Sequence, residues 1–558
     1  MKKKTTNKKK NKPKKPENLL SKYAGLWLLL ISFILYLPSV NLGFTELDDT
    51  IFINEMSAYN SDPGNIFHSF SRGVFSEEED TYYRPLLLDS FIINAFFAKQ
   101  NISGYHFINI LLHVLAVWFL FTLLKQLGIQ KMTAFWLSVI FAVHPVLTQA
   151  VAWIPGRNDT LLAIFVFPFL TACLKYREKP ELKLLLIQGG TLLGALFTKE
   201  TALFALPAAW LLSVFLSDKK WLDGPALRMY GVWVGSAAVY LLARSMASLE
   251  QSGLAFGELL GSAFGRIPVL LAYWGKVFLP FNLSVFPMIA DMTVIYGIIA
   301  LVLVGTLVFF SRSNNLRRML VGVLIFVLFL VPALMVPDAL NNQDFEHRLY
   351  LPMLGVLLLL SETFLFKNKL SSRQMSMAAG GVALIFAVMS LVRMPVFGDP
   401  ITFWSAAVES SPNSAYANMM LAARLDDTDM NRATTLMQKA YDLDPNQKYI
   451  NYYMGTLEVM KGKLLESEPY FLEEIQRSDY YKCYSYLGQI AFQKQNPSTA
   501  IQYMEKYLTV DTRNVEMNNN LLMLYFQTNR MEEAQEHAQK MQRMRLVIPE
   551  QFRAPLGM

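Results

Sequence analysis

The chain has 558 residues, 53% of them hydrophobic and 17% charged, with a mean hydropathy of +0.28. It is too apolar for a soluble protein of this length and too polar to lie in a bilayer throughout, so a membrane part joined to a soluble part is the simplest reading. The net charge of +7 does not point to nucleic acid, because ten lysines crowd the first 22 residues as a basic cytoplasmic tail suited to an anionic inner leaflet.

The first apolar run, 23–45, carries no charge and lacks a small-residue cleavage site, so it reads as a retained membrane helix. At its outer end stand Glu46, Leu47, Asp48 and Asp49. Further spans are expected at 105–124, 132–152, 159–175, 183–198, 200–217, 229–246, 292–311, 319–337, 349–366 and 374–393. The stretch 266–290 is interrupted by Arg266, Lys276, three prolines and an Asn, and reads as re-entrant or interfacial. Eleven spans then place the basic loops on one side: Lys125 and Lys131; Lys175, Arg177, Lys179 and Lys183; Lys219, Lys220 and Arg228; Arg312, Arg317 and Arg318; Lys367, Lys369 and Arg373. This is the positive-inside pattern. It puts the loop 42–104, rich in Phe, Tyr, Pro and Gly, on the outer side.

The texture changes near Pro395, and 395–413 reads as a linker. From Ser414 to about 548, residues recur at a period near 34, the length of a tetratricopeptide helix pair. The marks are Ala433, Ala440 and Pro445, then Gly455 and Phe471, then Gly488 and Ala500, then Tyr525 and Ala534. Four units would form a short solenoid, either a structural cap or a groove for a partner. Cys173 and Cys483, the only cysteines, lie far apart in sequence and supply neither a disulfide framework nor a Cys-type zinc site.

The polar residues gather at the outer span ends. They are Glu46, Asp48 and Asp49; Tyr83 and Arg84; His106; His144; Arg157 and Asp159; Lys199 and Glu200; and His347 and Arg348. One cation at a membrane boundary commonly snorkels to the interface. Arg84, Arg157, Lys199, Arg266 and Arg348 together, on a face otherwise poor in positive charge, suit a phosphate or pyrophosphate head group. A carboxylate held beside them suits general-base work. Displacement of a phosphate by a hydroxyl needs that base and no acid, since phosphate leaves as an anion. Asp49 is taken first as the base and Asp48 second. Arg84, Arg157, Lys199, His347 and Arg348 are the phosphate-binding candidates, and Glu46, Tyr83, His106, His144, Asp159 and Glu200 complete the site. No cofactor or metal is called for. Asp48, Asp49, Glu46 and His347 are ligand types, so a divalent ion stays an alternative, but no spacing demands it.

The order of these motifs carries a family resemblance. Glu46-Leu47-Asp48-Asp49, Tyr83-Arg84-Pro85-Leu86, Tyr105-His106 with Asn109 and His113, His144-Pro145 through Gly156-Arg157-Asn158-Asp159, Lys199-Glu200, and Arg348-Leu349-Tyr350-Leu351-Pro352 resemble the tetratricopeptide-bearing transmembrane O-mannosyltransferases, in a bacterial member. Those belong to the GT-C class of polytopic glycosyltransferases. The resemblance implies an all-α membrane bundle of GT-C type followed by a tetratricopeptide solenoid. It implies an acidic residue of the first outer loop as base and a lipid-phosphate sugar as donor, with a polyprenyl carrier indicated by size, tail and lack of disulfides. The partners it implies are that donor, membrane lipid, and a polypeptide or glycan acceptor held by the solenoid, with no nucleic acid. The location is the inner membrane, N-terminus cytoplasmic and solenoid periplasmic. Two alternatives stand beside it: a GT-C transferase acting on a glycolipid or envelope polysaccharide, and a non-enzymatic membrane scaffold. Transport is the weaker case, because charges mid-span and interrupted helices in matched halves are lacking.

Overall fold

The computed structural model describes residues 19–75, 81–247, 256–311, 315–336, 343–367, 371–425 and 429–556. The lysine-rich tail through residue 18, Arg312 and Lys369 lie outside the described residues. Within the described residues the chain is helical, with no strand and one isolated bridge between Met288 and Gln343. Contacts divide it into two units, Met1–Ser410 and Ser411–Met558.

Six helices of the first unit have the length and composition to cross a membrane: Ala24–Asn41, Ile102–Gln126, Ile154–Glu178, Gly224–Met246, Leu316–Leu334 and Ser372–Phe397. Lys131–Ala142 and Pro145–Ala152, bent by 51° at the break before Pro145, make a seventh if counted as one broken span. Against the eleven spans expected, six or seven thus have the length and composition of a span among the described residues. Leu182–Thr198, Glu200–Phe215 and Ile295–Phe309 are apolar but shorter. At 17 residues the longest of them reaches ~25 Å against ~30 Å of hydrocarbon. The span expected at 349–366 has a different fate. Its helix is only Met353–Leu360, and Met353 through Leu359 are all buried. A helix apolar on every side is as well suited to a protein interior as to lipid, and here it is interior. Gly355 makes that possible: a Cβ on it would stand 2.2 Å from the carbonyl oxygen of Gly322, so the Leu316–Leu334 and Met353–Leu360 helices touch backbone to backbone. The doubtful stretch 266–290 contributes the 12-residue helix Ile267–Phe278, ~18 Å long, followed by irregular backbone.

The loop after the first span folds back as short turns and the helix Pro85–Ala98. Phe52, Ile53, Met56, Val74, Leu87, Leu88 and Phe91 bury together with Tyr105 and Ile154. The Phe52 and Phe91 rings stack at 4.7 Å. This core packs the segment that follows Asp48 and Asp49 against the Ile102–Gln126 helix and the start of Ile154–Glu178.

The stretch 395–413 is not a free linker. Pro400–Ser410 is a helix that buries Phe403, Trp404 and Ala407, and it belongs to the first unit. The second unit holds four consecutive helix pairs: Ala415–Ala422 with Met430–Leu443, Ile450–Met460 with Glu468–Ser478, Lys482–Gln493 with Pro497–Val510, and Val515–Gln527 with Met531–Arg543. Their first helices start 35, 32 and 33 residues apart. Gly455 lets one pair close, since a Cβ there would lie 2.7 Å from the Phe471 ring.

Candidate functional site

Asp48 and Asp49 are adjacent and placed very differently. Asp49 is 1% exposed and accepts four hydrogen bonds. Its Oδ2 takes the Thr45 amide at 2.6 Å and the Thr45 hydroxyl at 3.0 Å, and its Oδ1 takes the amides of Leu47 and Thr50, each at 3.1 Å. These bonds tie the turn that opens the Thr50–Glu55 segment. Asp48 is half-buried, and its carboxylate makes no hydrogen bond among the described residues. Burial and the neighbouring Asp49 charge push it up to about 7, against the pull of Arg84. A carboxylate poised near neutral pH with open lone pairs is what a general base requires.

Arg84 is the hub of the next layer. Its Nε donates to Glu200 Oε2 at 3.0 Å, while Glu200 Oε1 accepts the Tyr83 amide at 3.2 Å. The guanidinium lies over the Tyr82 ring. Arg84 also acts electrostatically on Asp48, Asp159, Lys199 and His347, so each of these groups lies within charge range of its guanidinium. Lys199 sits in extended backbone between two short apolar helices, so its side chain turns inward. Its Nζ donates to Asp159 Oδ1 at 2.7 Å and to Asn158 Oδ1 at 3.0 Å. His347 Nε2 stands 3.9 Å from Asp159 Oδ2, and its ring packs against Trp153. Arg348 completes the set, acting on Asp159, Lys199 and His347, with Nη1 donating to the Gln343 carbonyl at 2.9 Å.

Seven of the candidates read from sequence are thus linked in a chain of pairwise contacts and charge effects: Asp48, Arg84, Asp159, Lys199, Glu200, His347 and Arg348. Arg157 does not join them as a phosphate ligand. It is fully buried, and its guanidinium is consumed by Asn109 Oδ1 at 2.9 Å, Asn94 Oδ1 at 2.8 Å and the carbonyls of Ser90 and Tyr105. It also lies over the Phe91 ring at 4.3 Å. His106 bonds the Gly43 carbonyl, and His144 bonds the Val277 carbonyl, so both hold backbone together. The Tyr83 hydroxyl donates to Phe70, and only its amide reaches the cluster through Glu200. Arg266 is buried, with its Nη1 donating to the Ala333 carbonyl. Glu46 is exposed, in left-handed backbone at φ 54°.

Sequence reasoning passed over Gln149. Its oxygen takes the His347 amide at 3.4 Å and its nitrogen donates to the Val285 carbonyl. A fully buried glutamine in an apolar helix was the available signal. Among the described residues no three His, Cys, Asp or Glu side chains form a group able to hold a metal ion.

No protein-family model matches the chain. It is 27% identical over 447 residues, 75% of this chain and 63% of the relative, to a protein O-mannosyl-transferase of Caenorhabditis elegans. It is 31% identical over 182 residues, 32% of this chain and 21% of the relative, to the protein O-mannosyl-transferase Tmtc1 of Drosophila melanogaster. A 110-residue stretch, 20% of this chain and 12% of the relative, is 36% identical to the human protein O-mannosyl-transferase TMTC1. The chain spans less than two thirds of the length of each of these relatives. Among solved structures, the apo oligosaccharyltransferase of Archaeoglobus fulgidus aligns with a TM-score of 0.37 and 15% identity, over 75% of this chain and 60% of that one. The resemblance read from the motifs is thus a similarity to proteins named protein O-mannosyl-transferases, extending over three quarters of the chain.

Proposed function

We propose that the chain is a multi-pass inner-membrane glycosyltransferase of GT-C type. It moves mannose or a similar hexose from a polyprenyl-phosphate donor to hydroxyls of secreted or envelope proteins, which its tetratricopeptide-like second unit engages. The observation that carries this reading is a carboxylate without hydrogen bonds among the described residues, Asp48, within charge range of Arg84, whose charge in turn reaches Asp159, Lys199 and His347. The names of the relatives support the choice of reaction.

In this reading Asp48 accepts the proton of the acceptor hydroxyl as that oxygen attacks C1 of the sugar. The bond from C1 to the donor phosphate oxygen breaks, and the phosphate leaves as an anion with inversion at C1. Arg84 is the main phosphate ligand, because Glu200 engages its Nε and leaves its two terminal nitrogens without a hydrogen bond among the described residues. Arg348 and Lys199 add positive charge where the leaving group develops its own. His347 stays beside Asp159 and shapes the wall of the space. Incubation of the purified chain in nanodiscs with a synthetic polyprenyl-phosphate mannose and a Ser/Thr-containing peptide is expected to yield an α/β-inverted mannosyl peptide and free polyprenyl phosphate. Release of neither product, across peptides from secreted proteins, overturns the reading.

The same reading sets the topology. The loops bearing Arg317, Arg318 and Lys367 face the cytoplasm, and the second unit faces the opposite side. Cysteines introduced at exposed Gln489 and at Lys220 are expected to label in intact cells and only after permeabilisation, respectively. The reverse pattern removes the site from the outer side.

A further inference from the structure

The mechanism makes no use of Glu346, a fully enclosed carboxylate next in sequence to His347. It is 0% exposed and is held by cations from two helices. Lys276 Nζ, on the Ile267–Phe278 helix, donates to its Oε1 at 2.8 Å. Arg393 Nη2, at the end of the Ser372–Arg393 helix, donates to its Oε2 at 2.7 Å. The Ser284 amide shares Oε1 at 2.7 Å, and Arg393 reaches the Ser284 carbonyl as well. Both cations are themselves nearly enclosed, with side chains 8% and 11% exposed. On either side of Glu346 the chain is tied again: the Tyr273 hydroxyl donates to the Phe345 carbonyl, and the His347 amide donates to Gln149. The next two residues, His347 and Arg348, are those assigned to the phosphate site in the proposed function.

We infer that Glu346, clamped by Lys276 and Arg393, is a positioning residue that sets where His347 and Arg348 stand against the donor phosphate. The inference rests on the reading of the site as a lipid-phosphate sugar site. A carboxylate merely filling a core has no need of two buried cations, whose desolvation is costly and is offset only by close geometry. Such geometry gives a fixed address: three bonds from three separate segments leave the 346–348 turn no second place to sit. A phosphate contact by Arg348 depends on that address, because a displacement of an ångström turns a charge-assisted hydrogen bond into a weak long-range attraction.

The test is a double-mutant cycle on donor binding, read with radiolabelled polyprenyl-phosphate mannose and the full chain in nanodiscs, with thermal melting measured alongside. Glu346→Gln leaves two buried cations facing one another and is expected to fold poorly. Lys276→Met is the informative change, since a one-to-one pair of Glu346 and Arg393 remains; Arg393→Met repeats it from the other oxygen. Lys276→Met is expected to raise the dissociation constant about fivefold and Arg348→Ala about tenfold, while the double variant binds within about twofold of Arg348→Ala alone. Unchanged binding in folded Lys276→Met and Arg393→Met overturns the inference. Losses that multiply in the double variant also overturn it, since Lys276 would then act independently of Arg348. If Arg348→Ala itself binds donor normally, the phosphate site fails first, and the single variant alone reports that.

Discussion

Asp48→Asn is expected to slow sugar transfer by about a hundredfold or more while leaving donor binding within about twofold of wild type, because the amide keeps the size of the side chain and cannot take a proton. The pH profile should carry the same signature. With the Asp48 carboxyl pushed up to about 7, the base is protonated and idle below that pH, so the rate climbs as pH rises through the neutral range and levels off above it. In Asp48→Asn the neutral-range rise should vanish from the residual rate. Asp49→Asn should behave in another way. Its Oδ1 and Oδ2 accept only from donors, and an amide nitrogen turned toward the amides of Leu47 and Thr50 or toward Thr45 would oppose them, so the turn loosens and the melting temperature falls. Loss of turnover in Asp49→Asn at unchanged melting temperature, with Asp48→Asn near normal, would reverse the assignment.

That division of labour marks the limit of what the sequence discloses. Two adjacent carboxylates are equivalent on paper, and the preference for Asp49 had nothing to act on. The turn distinguishes them, because Thr45 lies four residues before Asp49 and both its amide and its hydroxyl fold onto that side chain. Arg84, Lys199 and Arg348 were legible as candidates for a physical reason: hydropathy marks where apolar segments end, and charged residues at those ends stand out. Their pairing was not legible, since whether Lys199 reaches Asp159 or Arg84 reaches Glu200 depends on helix rotation, to which hydropathy is blind. The same blindness explains the span count. Hydropathy registers that Met353 through Leu359 avoid water, but not that they avoid it against Gly322 and its helix instead of against lipid. In the second unit the first helices of the pairs start 35, 32 and 33 residues apart, and glycines stand against the partner helix in two pairs, Gly455 at Phe471 and Gly488 at Met504.

Arg157 and Arg84 are the sharpest contrast, and they should separate in opposite directions. Both are arginines beside an aromatic ring, at the head of a helix or just before one. Arg157→Ala removes the donor to Asn109 Oδ1 and Asn94 Oδ1 among the described residues, leaves the carbonyls of Ser90 and Tyr105 without it, and opens a void over Phe91. Buried acceptors stripped of a charged donor cost about 3–5 kcal/mol together, so this variant should melt far below wild type or fail to accumulate in the membrane. Arg84→Ala leaves behind Glu200, which is 30% exposed on its side chain and keeps the Tyr83 amide, so the fold should tolerate the change. Donor affinity should instead fall by about tenfold to a hundredfold, and Arg84→Lys should recover only part of it, because an ammonium cannot span Glu200 and a phosphate with a planar fork. Melting curves and donor-binding isotherms on the two alanine variants decide the matter. A stable Arg157→Ala with weakened donor binding, beside an Arg84→Ala that binds normally, would exchange their roles and move the phosphate into the space between Asn94 and Asn109.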